Sequence, residues 1–97
     1  MRVELSRFIE SDLETIGDFI ARDNPVRAVT FIRELREKLR HVAQDPLLYQ
    51  LRPDIGKDAR IAVYGRYVIL FRIIGDRGVV RVERVVSGYR DLPALPR

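Results

Sequence analysis

The succession of periodicities along this chain predicts an α+β fold, β-α-α-β-β-β, with an α-helical hairpin packed on one face of an antiparallel sheet. Three observations carry that class. Two stretches of helical period sit side by side near the N-terminus, separated only by Asp23-Asn24-Pro25. After Arg60 the chain turns to segments rich in β-branched and aromatic residues, set apart by the glycine-bearing turns of a meander. The 97 residues are 46% hydrophobic with no low-complexity stretch, which suits a single domain over 1–97 and leaves no room for a second.

Each element has its own warrant. Met1 to Leu5 alternates Val3 and Leu5 with Arg2 and Glu4, the pattern of a half-buried strand, β1. From about Ser6 to Arg22 the apolar positions Ile9, Leu13, Ile16 and Ile20 recur at helical spacing (α1), while Glu10, Asp12, Glu14 and Asp18 read as a solvated face. Asn24 suits an N-cap and Pro25 the first helical position, so α2 runs from Pro25 to about Ala43 on the stripe Ala28, Val29, Ile32, Leu35, Leu39 and Val42. Asp45-Pro46 ends it, and Leu47 to Asp58, with its prolines and glycine, reads as an ordered surface loop. Arg60 to Tyr64, Tyr67 to Ile74 and Val79 to Val86 form β2, β3 and β4, separated by Gly65-Arg66 and by Gly75-Asp76-Arg77-Gly78. The tail from Asp91 to Arg97, with Pro93 and Pro96, reads as irregular. Strand β3 is apolar on both faces, yet the helices cover only one. Either the Leu47–Asp58 loop or sheet curvature covers the other, or a partner does.

Composition narrows the function classes. With 18 basic against 14 acidic side chains the net charge is +4, which favours an acidic partner. The absence of cysteine removes disulfides and thiolate metal sites, and no run approaches the ~20 apolar residues of a membrane span. No signal peptide precedes the first element, so the expectation is a soluble cytoplasmic protein. Catalytic constellations are sparse. His41 sits where a cation suits the C-terminal turn of α2, Ser6, Ser11 and Ser87 lack a neighbouring histidine, and no glycine-rich phosphate loop joins a strand to a helix. No metal or cofactor is expected. What remains is arginine and tyrosine in the β half: Arg60, Arg66, Arg72, Arg81, Arg84 and Arg90 with Tyr64, Tyr67 and Tyr89, groups that fork onto carboxylates and phosphates or stack on rings.

Over residues 3–92 these residues carry a resemblance. Asp12-Leu13-x-x-Ile16, Asn24-Pro25 with Ala28 and Phe31, Asp45-Pro46, Arg60, Gly65-Arg66-Tyr67-x-Ile69-x-Phe71-Arg72 and Arg84-Val85-Val86-Ser87-Gly88-Tyr89-Arg90-Asp91 occur in that order. The chain resembles the ParE branch of the ParE/RelE toxin superfamily of bacterial toxin–antitoxin modules. The resemblance implies the toxin of a type II module, inhibiting DNA gyrase by binding, neutralised by a small cognate antitoxin with an acidic C-terminal segment, and with no direct hold on nucleic acid. The target surface is then expected at Arg84, Tyr89 and Arg90, and the antitoxin surface at Tyr67, Ile69, Phe71, Arg60 and Arg72. The rival is a RelE-type, ribosome-dependent mRNA endoribonuclease using Arg60 and Arg90. Departures from that pattern weigh against it: Val68 stands where such enzymes carry arginine, no tyrosine or histidine follows Tyr89, and Ser87 stands where many ParE members carry histidine.

Overall fold

The computed structural model, which describes residues 1–76 and 78–97, has the predicted element order: β1 (Arg2–Leu5), α1 (Ile9–Ala21), α2 (Pro25–Gln44), β2 (Arg60–Tyr64), β3 (Tyr67–Ile74) and β4 (Val79–Ser87). Arg77, in the turn expected between β3 and β4, lies outside the described residues. The meander β2-β3-β4 is antiparallel, and β1 adds to β4 in parallel, giving the order β1-β4-β3-β2. Parity explains the parallel pair. The two-helix excursion lets β2 start in the direction of β1, and two hairpins later β4 runs that way again.

Local chemistry sets the helix boundaries. Arg27 N–H donates to Asn24 Oδ1 at 3.0 Å and Pro25 opens α2, as the sequence predicts. By contrast α1 begins at Ile9 rather than Ser6, because Ser6 is drawn into the sheet. Its N–H reaches Val82 O at 2.9 Å and its hydroxyl donates to Glu83 O at 2.6 Å. Just past the last β1 residue, Ser6 thus extends the bonding of β1 to β4 by one residue. Gly17 lets the helices approach closely, since a Cβ there would meet Ile32 Cγ1 at 3.4 Å.

The main core lies between hairpin and sheet: Ile9, Leu13 and Ile16 from α1 and Leu35, Leu39 and Val42 from α2 meet Tyr67, Ile69 and Phe71 of β3 and Val80, Val82 and Val85 of β4. A second core occupies the other face, where Val68, Leu70 and Val86 are covered by Ile55 and Ala59 from the loop and by Leu92 and Leu95 from the tail. The chain itself therefore closes both faces of β3. The tail, expected to be irregular, turns through a short 3-10 helix at Leu92–Ala94; its three-residue repeat sets Leu92 and Leu95 on one side, facing the sheet. Prolines that forbid a strand still permit this turn. Among the described residues no helix is long and apolar enough to cross a membrane.

Candidate functional site

The turn between β2 and β3 and the end of β4 meet at one end of the sheet. Ser87 is in register with Tyr67, Gly65 takes a positive φ of 59° that closes the β2–β3 turn, and Gly88 N–H donates to Arg66 O at 2.9 Å. Arg66 is thereby set beside the segment Ser87 to Arg90. Facing them across a cleft of about 500 Å³ are Ser11, Thr15 and Phe19 of α1. A smaller hollow of about 340 Å³ continues past Phe19 and Arg66 to Phe31 and Arg27. The Arg66 guanidinium lies 5.9 Å from the Phe19 ring centroid, and Tyr89 is 89% exposed.

What marks this cleft is that it groups arginines without carboxylate partners beside aromatic side chains. On the rest of the surface Arg27 is matched to Glu34 at 2.6 Å, Arg36 to Glu10 at 2.7 Å, Arg52 to Asp54 at 2.7 Å, Arg40 to Glu37 and Arg81 to Glu4, while Arg2, Arg7, Arg22, Arg33, Arg60 and Arg97 make no ion pair among the described residues. The hydrogen bond from Arg36 holds the Glu10 carboxyl below its ordinary value, and that from Arg27, then Tyr64, does the same to Glu34. Tyr64 is pushed up in return by its bond to Glu34. Arg66 and Arg90 have no such ion pair among the described residues. The one carboxylate lining the cleft, Asp12, is spent on Arg84. The site thus offers two uncommitted guanidinium groups, an exposed phenol and an aromatic ring, a set that receives carboxylates or phosphates and apolar or aromatic side chains. Its lining contains no histidine.

The sequence-predicted residues divide. Tyr89 and Arg90 stand exposed at the cleft mouth as expected. Arg84 does not: it is buried, with Nε and Nη2 forked onto Asp12 at 2.9 and 2.8 Å and Nη1 donating to Pro96 O at 2.9 Å. Its place in a contact surface is therefore corrected. An extra residue, Glu83, interrupts the β3–β4 ladder between Leu70↔Arg84 and Phe71↔Val82, and β1 ends opposite Val82, so Arg84 is free to turn toward α1. Asp12 is corrected as well. It is buried rather than part of a solvated face, and its position three after Ile9 and four before Ile16 was the available signal.

Tyr67, Ile69 and Phe71 do not form an open apolar row, because α1 and α2 close over them. Arg60, half-buried at the start of β2, donates to Tyr49 O at 2.6 Å. It pairs with Phe71, four residues along β3 from the Tyr67–Ser87 rung, roughly 13 Å away at strand rise, so Arg60 and Arg90 are not brought together. Arg72 lies on the tail side of the sheet, 3.2 Å from the buried Glu83 carboxylate. The two charges are close, but Arg72 Nε and Glu83 Oε1 make no hydrogen bond to each other. Phe19 was not singled out from sequence, since an aromatic at helical spacing reads as core; here it is half-exposed at the cleft.

The profile of a family described as the ParE toxin of type II toxin–antitoxin systems, parDE, matches residues 3–92. Among solved structures, a chromosomal ParDE toxin–antitoxin system from P. aeruginosa superposes with a TM-score of 0.76 at 19% identity, over 90% of this chain and 95% of that one. The toxin–antitoxin complex RelBE2 from Mycobacterium tuberculosis superposes with a TM-score of 0.65 at 21% identity, over 89% and 95%. At these identities the superpositions speak for the fold. No curated protein matches this chain in sequence.

Proposed function

The chain belongs to the family of ParE toxins of type II toxin–antitoxin systems, and on that premise we propose that it acts in the cytoplasm by binding DNA gyrase through the strand-end cleft, without covalent chemistry. The observation that carries this reading is the cleft that brings two guanidinium groups without an ion pair, Arg66 and Arg90, together with the exposed Tyr89 and the Phe19 ring. A guanidinium already forked to a carboxylate must break that fork to bind elsewhere; a free one need not. The RelE-type reading is less favoured because Arg60 lies away from Arg90 and no histidine lines the cleft.

Neutralisation falls to a cognate antitoxin with an acidic, amphipathic C-terminal segment. Arg60 and Arg72 remain accessible enough to meet its carboxylates. Contact with Ile69 and Phe71 would require the hairpin to lift, so its apolar anchors belong in the α1–α2 groove at Ala28, Ile32 and the exposed Val29.

Purified free chain should suppress supercoiling by gyrase and leave mRNA on translating ribosomes uncut in toeprinting. Cleavage in the ribosomal A site, lost in Arg60→Ala or Arg90→Ala, overturns this reading in favour of the nuclease.

A further inference from the structure

The exposed segment from Ser87 to Asp91 has a braced backbone. Gly88 N–H reaches Arg66 O at 2.9 Å, Tyr89 N–H reaches Ser87 Oγ at 3.3 Å, and Arg90 N–H reaches Ser87 O at 3.1 Å. What holds its two ends lies underneath. On the upstream side, the Asp12 carboxylate takes both the Arg84 fork and the Val85 N–H, the latter at 3.0 Å, pinning β4 just before it leaves the sheet. On the downstream side, Arg84 Nη1 holds the Pro96 carbonyl, behind the buried Leu92 and Leu95. Arg84 also lies against the Phe8 ring, 4.7 Å from its centroid. One side chain therefore touches α1, β4 and the tail.

We propose that Arg84, forked to Asp12, is a positioning residue that clamps both ends of the Ser87–Asp91 segment and sets the direction in which Tyr89 and Arg90 are presented. The proposal rests on the cleft being the target surface. Stability alone accounts poorly for such a device, because a buried ion pair is often no better than apolar residues of the same volume. A fork, however, fixes angle as well as distance. A segment held at both ends also has less freedom to lose when its side chains engage a partner.

A double-mutant cycle on the full-length chain tests this. Arg84→Lys keeps the charge and loses the fork; Asp12→Asn keeps the shape, loses the charge, and serves where Arg84→Lys fails to fold. Either change should raise the concentration for half-inhibition of gyrase about threefold to tenfold, an effect that vanishes when Tyr89→Ala/Arg90→Ala is already present. Amide exchange should rise at Gly88, Arg90, Ala94 and Leu95 while α2 stays protected. An equal loss in both backgrounds, or unchanged exchange at those amides, overturns the clamp. Failure of the target reading looks different: Tyr89→Ala/Arg90→Ala would leave inhibition intact, while amide exchange still decides for or against the clamp.

Discussion

Along the helical hairpin three arginines are spent on glutamates, while Arg22 and Arg33 make no ion pair among the described residues. Arg27, Arg36 and Arg40 each face a glutamate, Arg27 two turns along its own helix, Arg40 one turn back, and Arg36 across to the other helix. At the strand ends Arg66 lies near the Phe19 ring and Arg90 shares its cleft with Ser11, Thr15 and Tyr89, and neither makes an ion pair among the described residues. The difference concerns where interaction energy is still available. Exposed matched pairs are screened and contribute little to stability, whereas an uncommitted guanidinium beside an aromatic ring is the kind of group that anchors interfaces. Net charge alone does not make the distinction, since both regions are rich in arginine.

The largest effect that separates paired from unpaired arginines is in the interior. Asp12→Ala leaves the Arg84 guanidinium buried without its carboxylate and should cost about 3–5 kcal/mol, read from urea unfolding. Glu10→Ala, which strands the half-exposed Arg36, should leave the midpoint essentially unmoved. A small loss at Asp12 would mean that the pair is solvated and that the contrast between regions is weaker than the geometry implies.

Next in size, Tyr89→Ala/Arg90→Ala should weaken target inhibition by roughly thirtyfold or more while the circular dichroism spectrum stays that of the parent, because both side chains are exposed. Point changes are preferable to truncation after Gly88, which would strip Leu92 and Leu95 from the second core and confuse folding with binding. Unchanged inhibition by the double variant would move the target surface elsewhere.

Smallest is the response to acid. The carboxyls of Glu10, Glu34 and Glu37 are held below their ordinary value of 4.5 by arginine hydrogen bonds. Their stabilisation is therefore complete above 4.5 and fades as pH falls through the lowered folded-state values. Melting temperature should decline gently over that range. A rise on acidification would contradict the pairing of the helical arginines.

Much of this was legible in sequence. Asn24-Pro25 marks the joint of the hairpin, and the glycine turns mark the meander, because these signals act within a few residues. The exposure of Tyr89 and Arg90 was legible because a glycine at the end of a valine-rich strand turns the chain out of the sheet and exposes the next side chains. Pairing across the fold was not. Asp12 and Arg84 lie 72 residues apart, and nothing local says which of the β-half arginines turns inward. The covering of β3 by Leu92 and Leu95 was hidden in the same way, since prolines announce the end of a strand but not where the tail then packs. Arg66 emerged as a site residue only when its freedom from carboxylates became visible in three dimensions.

The contrast itself is tested most directly by charge reversal in the two regions, each assayed by titrating gyrase supercoiling. Arg66→Glu/Arg90→Glu at the cleft should abolish inhibition, while Arg36→Glu/Arg40→Glu on the hairpin, with folding confirmed by circular dichroism, should inhibit as the parent does. Equal losses from both pairs would mean that diffuse positive charge drives binding. Retained inhibition by the cleft variant would contradict the assignment of the strand-end cleft as the target-binding surface.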